Sequence, residues 1–170
     1  MVNIREEHPD DIRGVHDVNT KAFRQPQEAD LVDNLRRNCD QLLSLVAVVR
    51  EEIVGHILFS PVLLEGNTGV IRGMGLAPMA VLPSYQRQGI GSDLVESGIA
   101  ELTNRRCPFI IVLGHADYYP RFGFEPASRY DIRSEWEVPD EAFMIKILNK
   151  QDMQGISGII KYRAEFSAAL

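Results

Sequence analysis

Apolar and polar positions alternate along the chain in two periods, and the places where one gives way to the other mark out its elements. Val2 to Arg5 is short and partly alternating, which predicts a first strand. Pro9 suits the first turn of a helix, and Asp10 and Asp11 complement its N-terminal dipole. Ile12, Val15, Val18, Asn19 and Ala22 recur at helical spacing as far as Phe23, where Arg24-Gln25-Pro26 breaks the pattern. Ala29, Leu31, Val32 and Leu35 predict a second helix, to about Arg37. Ser44 to Arg50 is rich in β-branched residues, Glu51-Glu52 makes a turn, and Ile53 to Leu64 continues extended, which predicts an antiparallel hairpin. A second turn at Glu65-Gly66-Asn67-Thr68-Gly69 leads into a strand over Val70 to Leu82. Gly73, Gly75 and Pro78 are unusual inside a central strand. Either the strand bulges and parts from its neighbour near Pro78, or it lies at an edge.

The stretch that follows, Pro83-Ser84-Tyr85-Gln86-Arg87-Gln88-Gly89-Ile90-Gly91-Ser92, organises the rest. Ile90, Leu94, Val95, Ile99 and Leu102 form one apolar stripe, so a helix opens at the two glycines. Strand, glycine turn and helix N-terminus together present unpaired backbone N–H groups to an anion, and the helix dipole favours its charge. Two readings stand: a phosphate-bearing group sits here, or the glycines merely make a tight connection. A P-loop is excluded, because Ser92-Asp93 follows Gly91 where Lys-Ser/Thr would be needed. A dinucleotide fingerprint is excluded as well, because Leu94 stands where its third glycine would be. Phe109 to Leu113 reads as a buried strand, and Tyr118 to Phe124 as a short helix ending at Gly123 with a strand from Phe124. Phe143 to Leu148 and Ile156 to Tyr162 are two further strands. The order β-α-α-β-β-β-α-β-α-β-β predicts an α/β (α+β) protein, a mixed sheet flanked by helices in a single domain spanning residues 1–170.

Composition narrows the function. At 170 residues and 45% hydrophobic content, one soluble domain with a sizeable core is expected. No apolar run approaches the roughly 20 residues that cross a bilayer, and the opening Met-Val-Asn-Ile-Arg-Glu-Glu lacks a signal-peptide core. Cys39 and Cys107 are far apart and form no metal-binding pair, which fits reduced thiols in a cytoplasmic protein without a metal. A formal net charge of −6 argues against nucleic acid as a partner. An acidic protein that binds phosphate must do so through local geometry, which returns weight to the Gly89 turn.

Three features in register resemble the GNAT superfamily of N-acetyltransferases, in its YhbS-like branch. Gln86-Arg87-Gln88-Gly89-Ile90-Gly91 fits the family's Q/R-x-x-G-x-G/A motif, the strand and proline Ala80-Val81-Leu82-Pro83 precede it, and Tyr119-Pro120-Arg121-Phe122-Gly123-Phe124 matches Tyr-x-x-x-Gly-Phe after the next strand. The element order agrees over nearly the whole chain. The resemblance implies a GNAT-like acyl-CoA N-acyltransferase fold, with a splayed strand pair in a mixed central sheet. It implies acetyl-CoA as cosubstrate, its pyrophosphate on backbone N–H groups of Gln86, Arg87, Gln88, Gly89, Ile90, Gly91 and Ser92. Its pantetheine would bond the backbone of Met79, Ala80 and Val81, one of whose N–H groups would serve the oxyanion.

The resemblance further implies that Tyr119 is the acid for the departing CoA thiolate; its neighbour Tyr118 would pack or line the substrate. A phenol near pKa 10 is protonated at neutral pH and suits that task. No base is singled out. Glu28, His56, His115, Asp140 and Glu141 each have a plainer reading as cap, hydrogen-bonded core residue or solvated loop, and water could serve instead. Arg72 and Arg87 either neutralise phosphate or are solvated. With no cysteine at the expected gap, direct attack by a primary amine in a ternary complex is favoured over an acyl-enzyme. A non-catalytic acyl-CoA-binding sensor is the alternative. The acceptor is not encoded in any readable motif, and a homodimer through exposed strand edges is compatible with such a fold without being indicated by it.

Overall fold

The computed structural model describes residues 1–168. They form two compact units, one made of residues 1–60, 77–100 and the segment from Ala164, the other of residues 61–76 and 101–163. The strands make a mixed open sheet with both antiparallel and parallel pairs. The sequence pattern and the elements agree closely up to residue 123.

In the first unit β1 (Asn3–Glu6), β2 (Leu43–Val49) and the first part of β3 (Glu52–Gly66) form an antiparallel meander, with Ile4 opposite Ala47 and Ala47 opposite Gly55. A turn of 3-10 helix at Pro9–Asp11 leads into α1 (Ile12–Phe23). The Asp11 carboxylate accepts the His8 N–H at 2.7 Å and pairs with Arg5 at 2.6 Å, and the Arg5 guanidinium holds it below the usual carboxylate range. Arg24, left-handed at φ 57°, ends the helix by giving its N–H to the Thr20 carbonyl. The second helix, α2 (Gln27–Asn38), buries Ala29, Leu31, Val32 and Leu35. Side chains of that size contribute about 1.5–3 kcal/mol each when fully buried.

The start of α3 (Ile90–Asn104) is seated on β3 at two glycines. A Cβ on Gly98 would lie 2.3 Å from the ring of Phe59, which is fully buried. On Gly55 it would approach Leu94 to 3.1 Å and Ile90 to 3.2 Å. Helix and strand therefore pack backbone against side chain, with no room for a methyl group at Gly98 and room at Gly55 only if its neighbours give by a few tenths of an ångström.

In the second unit the first part of β4 (Gly69–Val81), as far as Leu76, runs parallel to β5 (Phe109–Leu113), with Met74, Gly75 and Leu76 opposite Ile110, Ile111 and Val112. That register ends at Leu76, while β4 itself runs on through Pro78 to Val81. Of the two expectations for Pro78 the edge strand is ruled out, since β4 lies between β3 and β5 in the strand order; the peptide before Pro78 is cis. Gly73 is required by the Phe109 ring, whose atoms a Cβ would meet at 2.5 Å. On the other side of β5 lies β8 (Phe143–Ile147), followed by the two-residue β6 (Glu125–Pro126). A second ladder joins β7 (Ile132–Ser134) to β9 (Gly158–Lys161), and β9 to the end of β3. Phe109, Ile111, Phe143, Ile145, Ile132 and Ile160 make up most of this unit's core.

Beyond residue 123 the sequence reading is incomplete. The strand expected from Phe124 is only two residues long, and β7, with a turn of 3-10 helix at Ala127–Tyr130 before it, was not anticipated. Two short helices, α4 (Lys150–Met153) and α5 (Ala164–Ala168), were missed as well. All are too short to show a period. Among the described residues no helix is long and apolar enough to cross a membrane.

The seat of α3 makes a stability prediction in which two effects oppose each other. Alanine favours a helix interior over glycine by about 1 kcal/mol, whereas overpacking a core costs about 1–3 kcal/mol. With the clash falling on a fully buried ring, Gly98→Ala should lower the unfolding free energy on urea denaturation. A more stable variant would show that Phe59 yields freely.

Candidate functional site

The loop at the start of the third long helix, the candidate phosphate site, is built from backbone first. At the end of β4, Ala80 and Val81 are buried and Met79 half-buried. Leu82 gives its N–H to the Val54 carbonyl at 2.8 Å, tying the strand end to β3. Pro83–Tyr85 is a turn of 3-10 helix closed by the Tyr85 N–H on the Leu82 carbonyl at 2.8 Å. The Gln86 N–H reaches the Pro83 carbonyl at 3.4 Å, and its side-chain amide donates to the Val81 carbonyl at 3.0 Å. The resemblance implies a phosphate contact for the Gln86 N–H; in this geometry its side chain also braces the loop against the strand end. Gln88 makes a similar brace, from its amide to the Ser84 carbonyl at 3.3 Å.

Gly89 caps the helix: its carbonyl accepts the Asp93 N–H at 3.0 Å. Ile90 and Gly91 stand at the head of α3, where an N–H has no carbonyl one turn back within the helix. Gly89 adopts φ +87°, and a Cβ there would meet nothing within 4 Å. Glycine is therefore demanded by conformation, while the space beside it is open. Arg87, Gln88 and Gly89 are exposed, and Arg87 is itself left-handed at φ 63°. Open space beside a helix start, bordered by N–H groups and an exposed arginine, fits a phosphate. Arg72 is exposed on β4 and holds no ion pair among the described residues.

Tyr119 belongs to the second unit. It opens the turn of 3-10 helix at Tyr119–Phe122, which Gly123 ends at φ +92°. The His115 carbonyl accepts the N–H groups of Tyr118 at 3.1 Å and Tyr119 at 3.4 Å. The Tyr119 ring is buried, edge-on to Tyr118 at 5.0 Å and to Phe124 at 5.7 Å between centroids. Burial, with a smaller effect from Tyr118, pushes its phenol up to about 12. Tyr118 is held by Arg121, whose guanidinium lies 4.6 Å over the ring and donates to the Tyr118 carbonyl at 2.9 Å.

The base candidates separate clearly. His56 is fully buried: Nδ1 faces the Asn19 amide nitrogen at 3.0 Å and Nε2 faces Ser44 Oγ at 2.9 Å. The Asn19 amide also donates to the Val15 carbonyl at 3.0 Å, which orients it. Nδ1 therefore accepts and Nε2–H donates to Ser44. Burial, helped by Arg36, pushes His56 down to about 3, too low for a base at neutral pH. Glu28 accepts both its contacts from the Gln25 amide at 2.9 and 3.0 Å. Asp140 accepts from Ser128 Oγ at 3.0 Å, and Glu141 and His115 are exposed. The structural partnership of His56 had a signal in the sequence, since Asn19 sits at the apolar spacing of α1.

Among the described residues one group could bring metal-ligating atoms together: His16, Asp30 and Asp33, within 4.8 Å of one another. Asp33 is already engaged by His16 Nδ1 at 2.9 Å and by Arg36 at 3.0 Å, so its charge is answered.

Comparison with known proteins gives this geometry its context. Residues 12–124 match the model of the Acetyltransferase (GNAT) family. The "Uncharacterized N-acetyltransferase YhbS" of Escherichia coli (strain K12) is 33% identical over 165 residues, covering 96% of this chain and 98% of its own. The "Uncharacterized N-acetyltransferase YjhQ" of the same strain is 38% identical over 149 residues, covering 84% of this chain and 82% of its own. The crystal structure of E. coli YhbS in complex with CoA matches with a TM-score of 0.90 at 33% identity, over 98% of this chain and 92% of that one. A GNAT family acetyltransferase from Brucella melitensis in complex with acetyl-CoA matches at 0.81 and 33% identity, over 98% of both chains.

Two predictions follow from the site. Gly89→Val forces a β-branched residue to φ +87°, a strain of about 1–3 kcal/mol, and fills the open side of the loop. Calorimetry should show CoA affinity reduced at least tenfold, with a melting temperature lowered by only the several degrees that this strain costs; undiminished binding would remove the loop from that role. His56 bears on pH. Its folded pKa lies below the unfolded value, so its contribution is present above about 6.5 and is lost as pH falls toward about 3. At pH 5 the loss is about 2 kcal/mol. The wild-type unfolding free energy, compared with that of His56→Gln between pH 7.5 and 5, should show this extra slope in the wild type alone.

Proposed function

Because this chain belongs to the GNAT acetyltransferase family, we propose that it moves an acetyl group from acetyl-CoA to a primary amine by direct attack in a ternary complex, working as one catalytic domain. The observation that carries this reading is the unit from Met79 to Ser92, in which a strand end, a braced loop and a helix start leave backbone donors beside open space. Binding of CoA and acetyl-CoA by the two related proteins supports the choice of cosubstrate.

The pyrophosphate takes the N–H groups from Arg87 to Ser92, with Gln86 holding the loop. The backbone of Met79, Ala80 and Val81 orients pantetheine, and an N–H of that stretch meets the oxyanion. Orientation alone can lower the barrier by about 7–11 kcal/mol, so few side chains need to act. The amine nitrogen attacks the carbonyl carbon, the C–S bond breaks, and the nitrogen loses its proton to water. Tyr119 is the donor to the departing sulfur. A phenol at about 12 is a weaker acid than a thiol near 8.5, and full transfer is opposed by about 5 kcal/mol. Tyr119 therefore acts first as a hydrogen-bond donor to the thiolate, and where its proton passes to sulfur the phenolate takes one back from the solvent that received the nitrogen's proton.

Acetyl-CoA consumption against a panel of polyamines, aminoacyl amides and peptide N-termini tests the reading. Intersecting double-reciprocal lines support a ternary complex; tight acetyl-CoA binding with no turnover across the panel would instead identify a sensor. Tyr119→Phe should lower kcat about tenfold or more and leave acetyl-CoA affinity within about twofold. With the phenol at about 12, the wild-type kcat should show no alkaline fall near pH 10 that Tyr119→Phe abolishes.

A further inference from the structure

We propose that Gly114 is a positioning residue for Tyr119: the bare α-carbon is the seat of the ring and sets where the hydroxyl lies. The proposal rests on Tyr119 being the donor to sulfur. Gly114 follows the last residue of β5 and gives its N–H to the Ala142 carbonyl at 2.9 Å, so its peptide is fixed. A Cβ there would lie 2.5 Å from Tyr119 Cε2 and 3.0 Å from Cδ2. Cε2 adjoins the carbon bearing the hydroxyl, itself 3.5 Å from that Cβ position. Gly123, by contrast, is left-handed at φ +92° and is needed for its conformation. Gly114 has no such φ, so what demands a glycine is the ring.

The ring has little freedom to give way. Tyr118 and Phe124 meet it edge-on at 5.0 and 5.7 Å, and Phe122 lies 6.4 Å away. Carbon atoms in contact rest about 3.5–4.0 Å apart, so a methyl group at Gly114 must drive the ring about 1 Å from its seat. A misplacement of that size in a reacting group can cost about a hundredfold in rate.

The test is Gly114→Ala, alone and combined with Tyr119→Phe. In its crystal structure the Tyr119 hydroxyl should move by about 1 Å, a readout that needs no acceptor; an unmoved hydroxyl overturns the proposal. With the most active amine of the panel, kcat should fall about tenfold to a hundredfold, with acetyl-CoA affinity by calorimetry within about twofold. In the Tyr119→Phe background Gly114→Ala should lower kcat no further. A double variant showing the product of the two losses would mean that Gly114 acts otherwise than through the hydroxyl, and would overturn the proposal. Wild-type turnover by Tyr119→Phe would remove the donor role itself, while displacement of the ring would still report on the seat. Should Gly114→Ala fail to fold, combining it with Tyr119→Ala removes the ring that the methyl group would strike: recovered folding supports the seat, and continued failure overturns it.

Discussion

The short run of β3 from Val54 to Phe59 is the constraint on which the candidate phosphate loop depends. Val54 holds the end of β4 through the Leu82 N–H, and Gly55, the next residue, seats Ile90 and Leu94. Two turns further along α3, Gly98 lies against the Phe59 ring. Strand end and helix start are thus pinned to adjacent residues of one strand, and the loop from Pro83 to Gly89 has only to span them. Its own braces, from Gln86 to Val81 and from Gln88 to Ser84, then remove most of the remaining freedom. Preorganisation of this kind matters for an anion site made of N–H groups, because donors that must reorganise on binding lose much of what they contribute.

Desolvation decides the chemistry of two candidate side chains, in opposite senses. It pushes His56 down to about 3 and Tyr119 up to about 12. In both, burial favours the neutral form. A neutral imidazole with its donor and acceptor already committed to Ser44 and Asn19 is a fastener between α1, β2 and β3. A neutral phenol is still a donor. The same force therefore leaves one side chain unable to act as a base at neutral pH and the other still able to donate a hydrogen bond.

Much of this was legible in the amino-acid sequence, and the reasons are physical. The helices over Ile12 to Arg37 and from Ile90 onward repeat an apolar stripe over three turns or more, and β2 to β4 are long enough to show β-branched runs and turns. Pro78 signalled that β4 departs from a regular ladder, and the register with β5 stops just before it. The region after Gly123 was harder, because β6, β7 and α4 have two to four residues each, too few for either the strand or the helix period to repeat. The side-chain role of Gln86 was hidden too: a motif places it at the loop but cannot tell whether its N–H or its amide is in use. Likewise, Gly98 and Gly114 carry no local mark. What requires them is a ring brought from elsewhere in the chain.

The three glycines that shape the candidate chemistry act by different means. Gly89 supplies a backbone conformation, Gly98 lets α3 settle on β3, and Gly114 leaves room for a ring. Only the first is a property of its own neighbourhood, and only the first belongs to a readable motif. The donor half of such a reaction is held mainly by backbone groups, whose arrangement a few glycines and one strand can specify at fixed spacing. An acceptor, by contrast, is selected by side chains drawn from separate elements, and no spacing ties them together. That difference is why a motif in the chain can point to a family's acyl donor while none points to an acceptor.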